Sequence, residues 1–533
     1  MKKRIISLLM VSALTATLFA GCGSKEATTD APADGGNTAT TTPAEPKEVT
    51  VPEKLTIMVS GDLAVTVQEH QDAFIDELQK LTGIAKIDII QPDHSAYYDV
   101  LGTTIAGGDI PDCIYLGSTY YSNYAAQGLL WDMTDAYEAS DLKKRHDAKG
   151  SGVYVDSVRI DGRLYGMPVW RGGGCVTYVR NSWLDAIDGY SADKLPTTYD
   201  EYIDMLTKFK EAGLSKASYV TGGAGFVGGE APYINYFPEF YQDAYPTFVQ
   251  GSDGKWVDGF TQDSMKKALE RLTKAVADGL IDKQSLDQST ADARGKFASG
   301  EYGAYTYWAN HWATNLTNNI KKAAAEGEDY TITAMAPIKE VGTYINRLSP
   351  VWTVTNACEN PEGAFKYFIE TMQDGADCQF LWTYGVEDVH YSYKAESITS
   401  GTGDKAVTKD YEEGKFHWKN MAEKPESLYS KVHITATGNS CLVNLSNAKH
   451  EDPNAVDEAA QKAIDLFSEN CRNEELTPTT DAYSEYNGDL TTLKNELIAK
   501  VVTGQMSIDD AYAQFAKEGQ AMSDAIVESL NAL

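Results

Sequence analysis

The sequence predicts an α/β protein of two or three domains, and three observations carry that expectation. Between Leu55 and Leu116 the chain reads strand, helix, strand, helix, strand, the order that builds a parallel or mixed sheet. At 533 residues it is too long for one hydrophobic core. Gly172, Gly173 and Gly174 follow one another directly after a strand signal, which marks a bend or a change of domain.

Taken in order, Leu55, Ile57 and Val59 alternate as a strand that runs into the turn Ser60-Gly61-Asp62. Phe74, Leu78 and Leu81 recur at helical spacing, and Gly83 stops that helix. Ile87 to Ile90 is the second strand and His94 to Ile105 the second helix. Gly107-Gly108-Asp109 and Pro111 turn into a short apolar strand, Cys113 to Leu116, followed by Gly117-Ser118-Thr119-Tyr120-Tyr121. Small ligands bind beyond the carboxyl ends of strands in open α/β sheets, which makes Ser118, Tyr120 and Tyr121 candidate contacts. The alternative is that the two tyrosines merely cap the sheet.

Asp161-Gly162 predicts a hairpin turn between Val158–Ile160 and Leu164–Tyr165. After the glycines, Val176 to Val179 resumes as a strand, and Pro196-Thr197-Thr198 signals the start of a helix from Tyr199 to Glu211. Residues 221–239 form a loop rich in glycine and aromatics, with Tyr233, Tyr236 and Phe237 as possible extensions of a cleft. Asp253-Gly254 turns a second hairpin, and a long helix runs through Leu269, Leu272 and Val276. A glycine-flanked strand ends at Trp308, strands follow over Ile332–Pro337 and Ser349–Asn356, and several helices close the chain.

The first residues read as a targeting segment. Lys2-Lys3-Arg4 is a basic head, Ile5 to Phe19 an apolar core, and small residues lead to a cysteine in Phe19-Ala20-Gly21-Cys22. This is the pattern of a bacterial lipoprotein signal, with Phe19 where leucine is usual. Residues 1–21 are therefore expected to be removed, and Cys22 to be diacylated as the mature N-terminus. Two acyl chains would hold the protein at the outer face of the cytoplasmic membrane. Residues 22–54 form the tether, low in large apolar residues and expected to be disordered.

Acidic residues number 77 against 46 basic ones, a net charge of −31. Such a surface repels phosphate backbones and anionic headgroups, which argues against nucleic acid and against membrane contact other than the lipid. A strongly anionic ligand is disfavoured too, unless a local basic pocket overrules the field. Beyond Cys22, none of the cysteines sits in a Cys-x-x-Cys or Cys/His spacing, so no zinc site is expected. Cys113 and Cys175 lie in apolar strand contexts and read as small buried residues. No calcium loop of the DxDxDG kind is evident, and no metal or cofactor is expected.

A series of segments then carries a resemblance: GDIPDCIYL, YAAQGLLWDMTD, DGRLYGMP, YVRNSWLDAI with LPTTYDEYIDMLTKFK, DGLIDKQS, GEYGAYTYWANHW, ENPEGAFKYFIE, YGVEDVHY and VTGQMSIDDAYAQF. In this order they resemble the extracellular solute-binding proteins of family 1, the lipoproteins that capture sugars for ABC importers. The resemblance extends from Leu55 nearly to Leu533 and is greatest to the large, oligosaccharide-type members. It implies a periplasmic-binding-protein-like fold of type II, with a ligand cleft between two lobes joined by hinge strands. Residues 55–170 with a return segment at 345–395 would form the first lobe. Residues 171–344 with 396–533 would form the second. ABC permease subunits are the implied partners, and a monomer is expected.

A neutral sugar needs aromatic platforms and planar polar groups. The resemblance places a polar contact at Asp62 and a stacking tryptophan at Trp308. The chain adds Trp170 and Arg171 at the hinge, His311 and Trp312 after Trp308, Trp352 in the return strand, and Tyr384, Glu387, His390 and Tyr391 in YGVEDVHY. Each has a structural alternative: Trp352 as core, Glu387 as a helix cap or partner of His390. A glycoside hydrolase would share an aromatic cleft, but acid abundance alone cannot identify a catalytic pair. No Gly-x-Ser-x-Gly elbow, phosphate loop or HExxH helix is present, so no enzyme is expected. A peptide or uronide ligand, and a glycan-adhesion or sensory role, remain alternatives.

Overall fold

In the computed structural model, residues 48–59, 68–92, 96–214, 219–220, 237–286, 288, 290–310, 312–324, 327–400, 407–419, 441–446 and 458–533 are described. Alternation at Leu55 and Ile57 produces strand β1 (Lys54–Met58), with both side chains buried. Helix α1 (Gln68–Thr82) lays Phe74 and Leu78, one turn apart, into the same core and stops at Gly83 with φ +77°. Strand β2 (Lys86–Ile90), helix α2 (Tyr97–Gly107), strand β3 (Cys113–Leu116) and helix α3 (Ser118–Ala126) follow. β1 runs parallel to both β2 and β3. Cys113 and Cys175 are fully buried in strands, as their contexts indicate.

The chain goes on through β4 (Met167–Pro168), β5 (Cys175–Arg180), β6 (Tyr219–Val220), β7 (Phe248–Gln250), β8 (Trp256–Asp258), β9 (Ala304–Trp308), β10 (Ile332–Ala334), β11 (Tyr344–Asn346) and β12 (Val351–Val354). β7 pairs with β8 alone, and β4, β5, β6, β9, β10 and β12 go into two larger sheets. The first has the order β2-β1-β3-β12-β4, the second β10-β5-β9-β6. β12 is antiparallel to β3 and β4, so a late strand closes the first sheet.

Each sheet has its own hydrophobic core, which gives the two-lobe α/β fold. The first core takes residues between Leu55 and Val169, then Leu348 to Trp382, then Val443. The second takes residues between Cys175 and Ile345, then Ala460 to Leu530. Residues 441–446 thus depart from the lobe-2 assignment given to 396–533. Val443 packs in the first core, and Lys149 Nζ donates to Asn444 Oδ1 at 2.6 Å.

Local signals at helix starts are realised. Thr198 Oγ1 accepts from Glu201 N at 3.3 Å while Glu201 Oε2 accepts from Thr197 N at 2.8 Å, two orphan donors satisfied reciprocally. Ser507 Oγ caps the helix Ile508–Glu518 by accepting from Asp510 N at 3.1 Å. Asp161 and Gly162 both take positive φ, and Ile160 and Arg163 exchange two backbone bonds. The flanks do not extend into strands, because Val158 and Leu164 turn into the core instead.

The lobes are joined by segments that cross at backbone distance. Arg347 N donates to Gly173 O at 3.0 Å, and Gly173 N to Asn346 Oδ1 at 2.6 Å. β11 pairs in parallel with Cys471–Asn473, and Glu474 N donates to Asn346 O. A Cβ on Gly172 would stand 1.5 Å from Arg347 O, and one on Gly174 would stand 2.3 Å from Ile345 O. The glycines are there for close approach.

Candidate ligand cleft

Strand pairing identifies which sheet ends meet the hinge. Leu116, the last residue of β3, pairs with Val351, the first residue of β12 after the return crossing. Trp308, the last residue of β9, pairs with Cys175, the first residue after the glycines. The segment after Leu116 and the end of β9 therefore flank the gap between the lobes, where ligands of open sheets sit.

On the lobe-1 side, Tyr120 lies flat on Tyr98, ring centroids 3.5 Å apart and 3° between planes. Tyr98 Oη accepts from Gly117 N at 2.9 Å, which fixes this ledge to the strand end. Tyr120 remains 37% exposed. At the hinge, Trp170 Nε1 donates to Tyr115 Oη at 3.2 Å. From the return crossing, the Arg347 guanidinium carbon stands 4.4 Å from the centroid of Trp308 and 5.9 Å from that of Trp170. It therefore bridges an indole of each lobe by cation–π contact. Burial raises the pKa of Tyr98 and Tyr115, and the charge of Arg347 works against that rise at both hydroxyls.

Of the residues the sequence singles out, Trp170 and Trp308 share Arg347, whose charge also reaches Tyr98 beneath Tyr120, and Ser118 heads α3. Trp308 is only 8% exposed, and Arg347 rather than open space lies over its face. Trp312 stands elsewhere, edge-on to Tyr307 and under Arg294, whose Nη1 donates to Tyr307 Oη at 2.6 Å. Asp62, His311, Tyr233, Tyr236 and Cys22 lie outside the described residues.

Several candidates are corrected by burial. Tyr121 is in the lobe-1 core, its hydroxyl donating to Val158 O at 2.7 Å. Trp352 is 0% exposed, packed among Tyr115, Phe368 and Trp382. Tyr384 belongs to a separate buried cluster with Tyr391 and Leu445, and Phe237 is core in lobe 2. His390 is buried, its Nδ1 accepting from Val386 N at 2.9 Å; burial, then the nearby His70, lowers its pKa to about 4. Arg171 alternates away from Trp170, toward Ser468 Oγ at 3.4 Å and the ring of Tyr154. Glu387 is exposed on the turn that His390 braces. For Tyr121, Trp352, Tyr384 and Phe237 the physical reason is shared: an aromatic in an apolar strand or helix gains more by entering the core than by standing in a cleft.

Arg347, Tyr98 and Tyr115 are the groups that sequence reasoning missed. The available signal was a single arginine in the return crossing, Ile345-Asn346-Arg347-Leu348, of a chain rich in acids. Among the described residues, no group of three or more His, Cys, Asp and Glu is gathered as a metal site would need. Nor is any described helix long and apolar enough to cross a membrane.

Comparison with known proteins gives this geometry a family. Residues 61–370 match the family described as bacterial extracellular solute-binding protein. The chain is 23% identical over 443 residues to the polygalacturonan/rhamnogalacturonan-binding protein YtcQ of Bacillus subtilis, covering 80% of this chain and 83% of that one. It is 25% identical over 327 residues to the fructooligosaccharide ABC transporter substrate-binding protein FusA of Streptococcus pneumoniae, covering 55% and 56%. In structure it is similar to the alginate-binding protein AlgQ2, with a TM-score of 0.62 at 15% identity over 90% of this chain and 98% of that one. The paired sheets, the crossing hinge and the matched length agree, and this chain belongs to the bacterial extracellular solute-binding protein family.

Proposed function

We propose that this protein is a lipid-anchored, non-enzymatic receptor that captures an oligosaccharide between its lobes and delivers it to the permease of an ABC importer. The observation that carries the reading is the exposed aromatic ledge of Tyr120 on Tyr98 at the end of β3, with Trp170 and Trp308 sharing Arg347 at the hinge. Flat apolar faces beside hydroxyl and amide donors suit the C–H faces and rim hydroxyls of a pyranose. Support comes also from the relatives, whose names assign them polygalacturonan, fructooligosaccharide and alginate. Diacylation at Cys22 and placement at the outer face of the cytoplasmic membrane follow from the signal pattern in the sequence.

The test is a thermal-shift screen of the chain from Gly23 onward against neutral, acidic and amino-sugar oligosaccharides, with peptides alongside. A ligand at 100 times its Kd adds about 2.7 kcal/mol, which moves the melting curve visibly. A shift with one glycan class supports the reading, and shifts with peptides alone replace it. Trp308→Ala should then weaken glycan binding by about 1–3 kcal/mol by removing the platform under Arg347. Calorimetric titration of the variant checks this, and an unchanged Kd removes Trp308 from the site.

A further inference from the structure

We propose that a cavity of about 160 Å³, walled by both lobes, holds one uncharged sugar ring of the glycan, and that Asn487 and Thr491 read its hydroxyls. This rests on the carbohydrate reading above and goes on to name the class of sugar. The first argument is position. Ser122 of α3 supplies the lobe-1 wall, and its Oγ donates to Thr477 O at 3.3 Å. Leu348 comes from the return crossing. Phe248 and Tyr483 come from the second lobe, their rings edge-on with centroids 6.0 Å apart. Any opening or closing of the lobes must therefore change this cavity, and a ring inside it is held from both sides.

The second argument is the chemistry of the lining. Helix Asp481–Val502 presents Asn487 and Thr491 to the cavity, one turn apart on one face. Among the described residues no hydrogen bond engages either side chain, so an amide and a hydroxyl are available to a ligand. A sugar hydroxyl donates and accepts at once, which matches both groups. Phe248, Leu348 and Tyr483 offer apolar surface to the C–H faces of the ring. The volume is roughly that of a single hexose, so the other rings of the glycan lie outside it.

The third argument is charge. Lys494 reaches the cavity wall, but its ammonium is spent in a buried ion pair, donating to Asp258 Oδ1 at 2.7 Å and to Pro246 O at 3.0 Å. Glu474 lines the same cavity, and one of its oxygens accepts from Leu348 N at 3.3 Å. Burial raises the pKa of Glu474 and lowers that of Lys494, so the surroundings resist charge of either sign. A uronate would add to that cost the repulsion of a protein with net charge −31. An uncharged ring incurs neither penalty.

The experiment is calorimetric titration of the full chain lacking only its leader. The probes are neutral trimers of fructose, glucose, galactose, mannose and xylose, with trigalacturonate, a glucosamine trimer and tripeptides alongside. At least one neutral trimer should bind, and more tightly than either charged trimer. Asn487→Leu should weaken that binding about three- to tenfold through the lost amide bonds. Thr491→Trp should weaken it about tenfold or more by filling the cavity. Thr491 is exposed, so the larger ring need not disturb the core. Melting without ligand shows whether each variant folds, and if one does not, the other decides. A charged trimer bound in preference, or a neutral-trimer Kd unchanged in either folded variant, overturns this inference and leaves carbohydrate capture standing. Silence from every trimer overturns this inference too. Binding of peptides and of no glycan overturns the carbohydrate reading itself.

Discussion

Gly172→Ala should destabilise the protein by about 3 kcal/mol or more, among the larger effects a single methyl group can have. The added carbon would lie 1.5 Å from Arg347 O and 2.6 Å from its carbonyl carbon, both backbone atoms that cannot swing aside. To make room, the two crossings must part, and the bonds from Arg347 N to Gly173 O and from Gly173 N to Asn346 Oδ1 lie in the way. Denaturant midpoints of Gly172→Ala and Gly107→Ala make the comparison, since nothing lies within 4 Å of a Cβ at Gly107. Equal midpoints would show that the hinge strands are not packed as described. Ligand affinity should fall in Gly172→Ala as well, because the same displacement carries Arg347 away from Trp308.

Glu239→Gln should be more stable than the wild type above pH 7, by up to roughly 3 kcal/mol, with the gain vanishing near pH 4.5. Glu239 is fully buried, and burial raises its pKa to about 7, offset in part by Thr177 Oγ1, which donates to Oε1 at 2.7 Å. Oε2 has no hydrogen-bond partner among the described residues. The folded carboxyl thus holds its proton more tightly than the unfolded one. Its contribution is fully present below the unfolded value of 4.5 and is lost as pH rises through 7. His146 and His390, whose pKa values burial lowers to about 4, act in the other direction by losing stability in acid. They do so equally in variant and wild type, so the difference between the two proteins isolates Glu239. Chemical denaturation at pH 5 and pH 8 provides the measurement, and a difference independent of pH would show that the carboxyl is solvated.

What was legible in the sequence is what depends on near neighbours. The spacing of Phe74 and Leu78 and the cap at Thr198 are settled within a turn or two of chain. Glycine at 172–174 marked a bend or change of domain, because few other reasons require such a run. The cleft was harder, because its members are chosen by distant pairing. Arg347 reaches the hinge through the bond between Gly173 and Asn346, 173 positions apart. Trp352 and Trp170 look alike as tryptophans near strand ends, yet the first is the centre of a core and the second is half-buried beside Tyr115. Local pattern does not distinguish them, since the choice is made by whether Phe368 and Trp382 arrive on the same side.

The late strand that closes the first sheet also sets an order of assembly. β12 lies between β3 and β4, so the first lobe cannot be completed until the chain has continued past the second lobe's β5–β11 and returned. The second core in turn waits for Leu530. A chain emerging N-terminus first therefore exposes two unfinished sheets at once. In such a chain neither lobe is a finished, rigid body while the other is still incomplete.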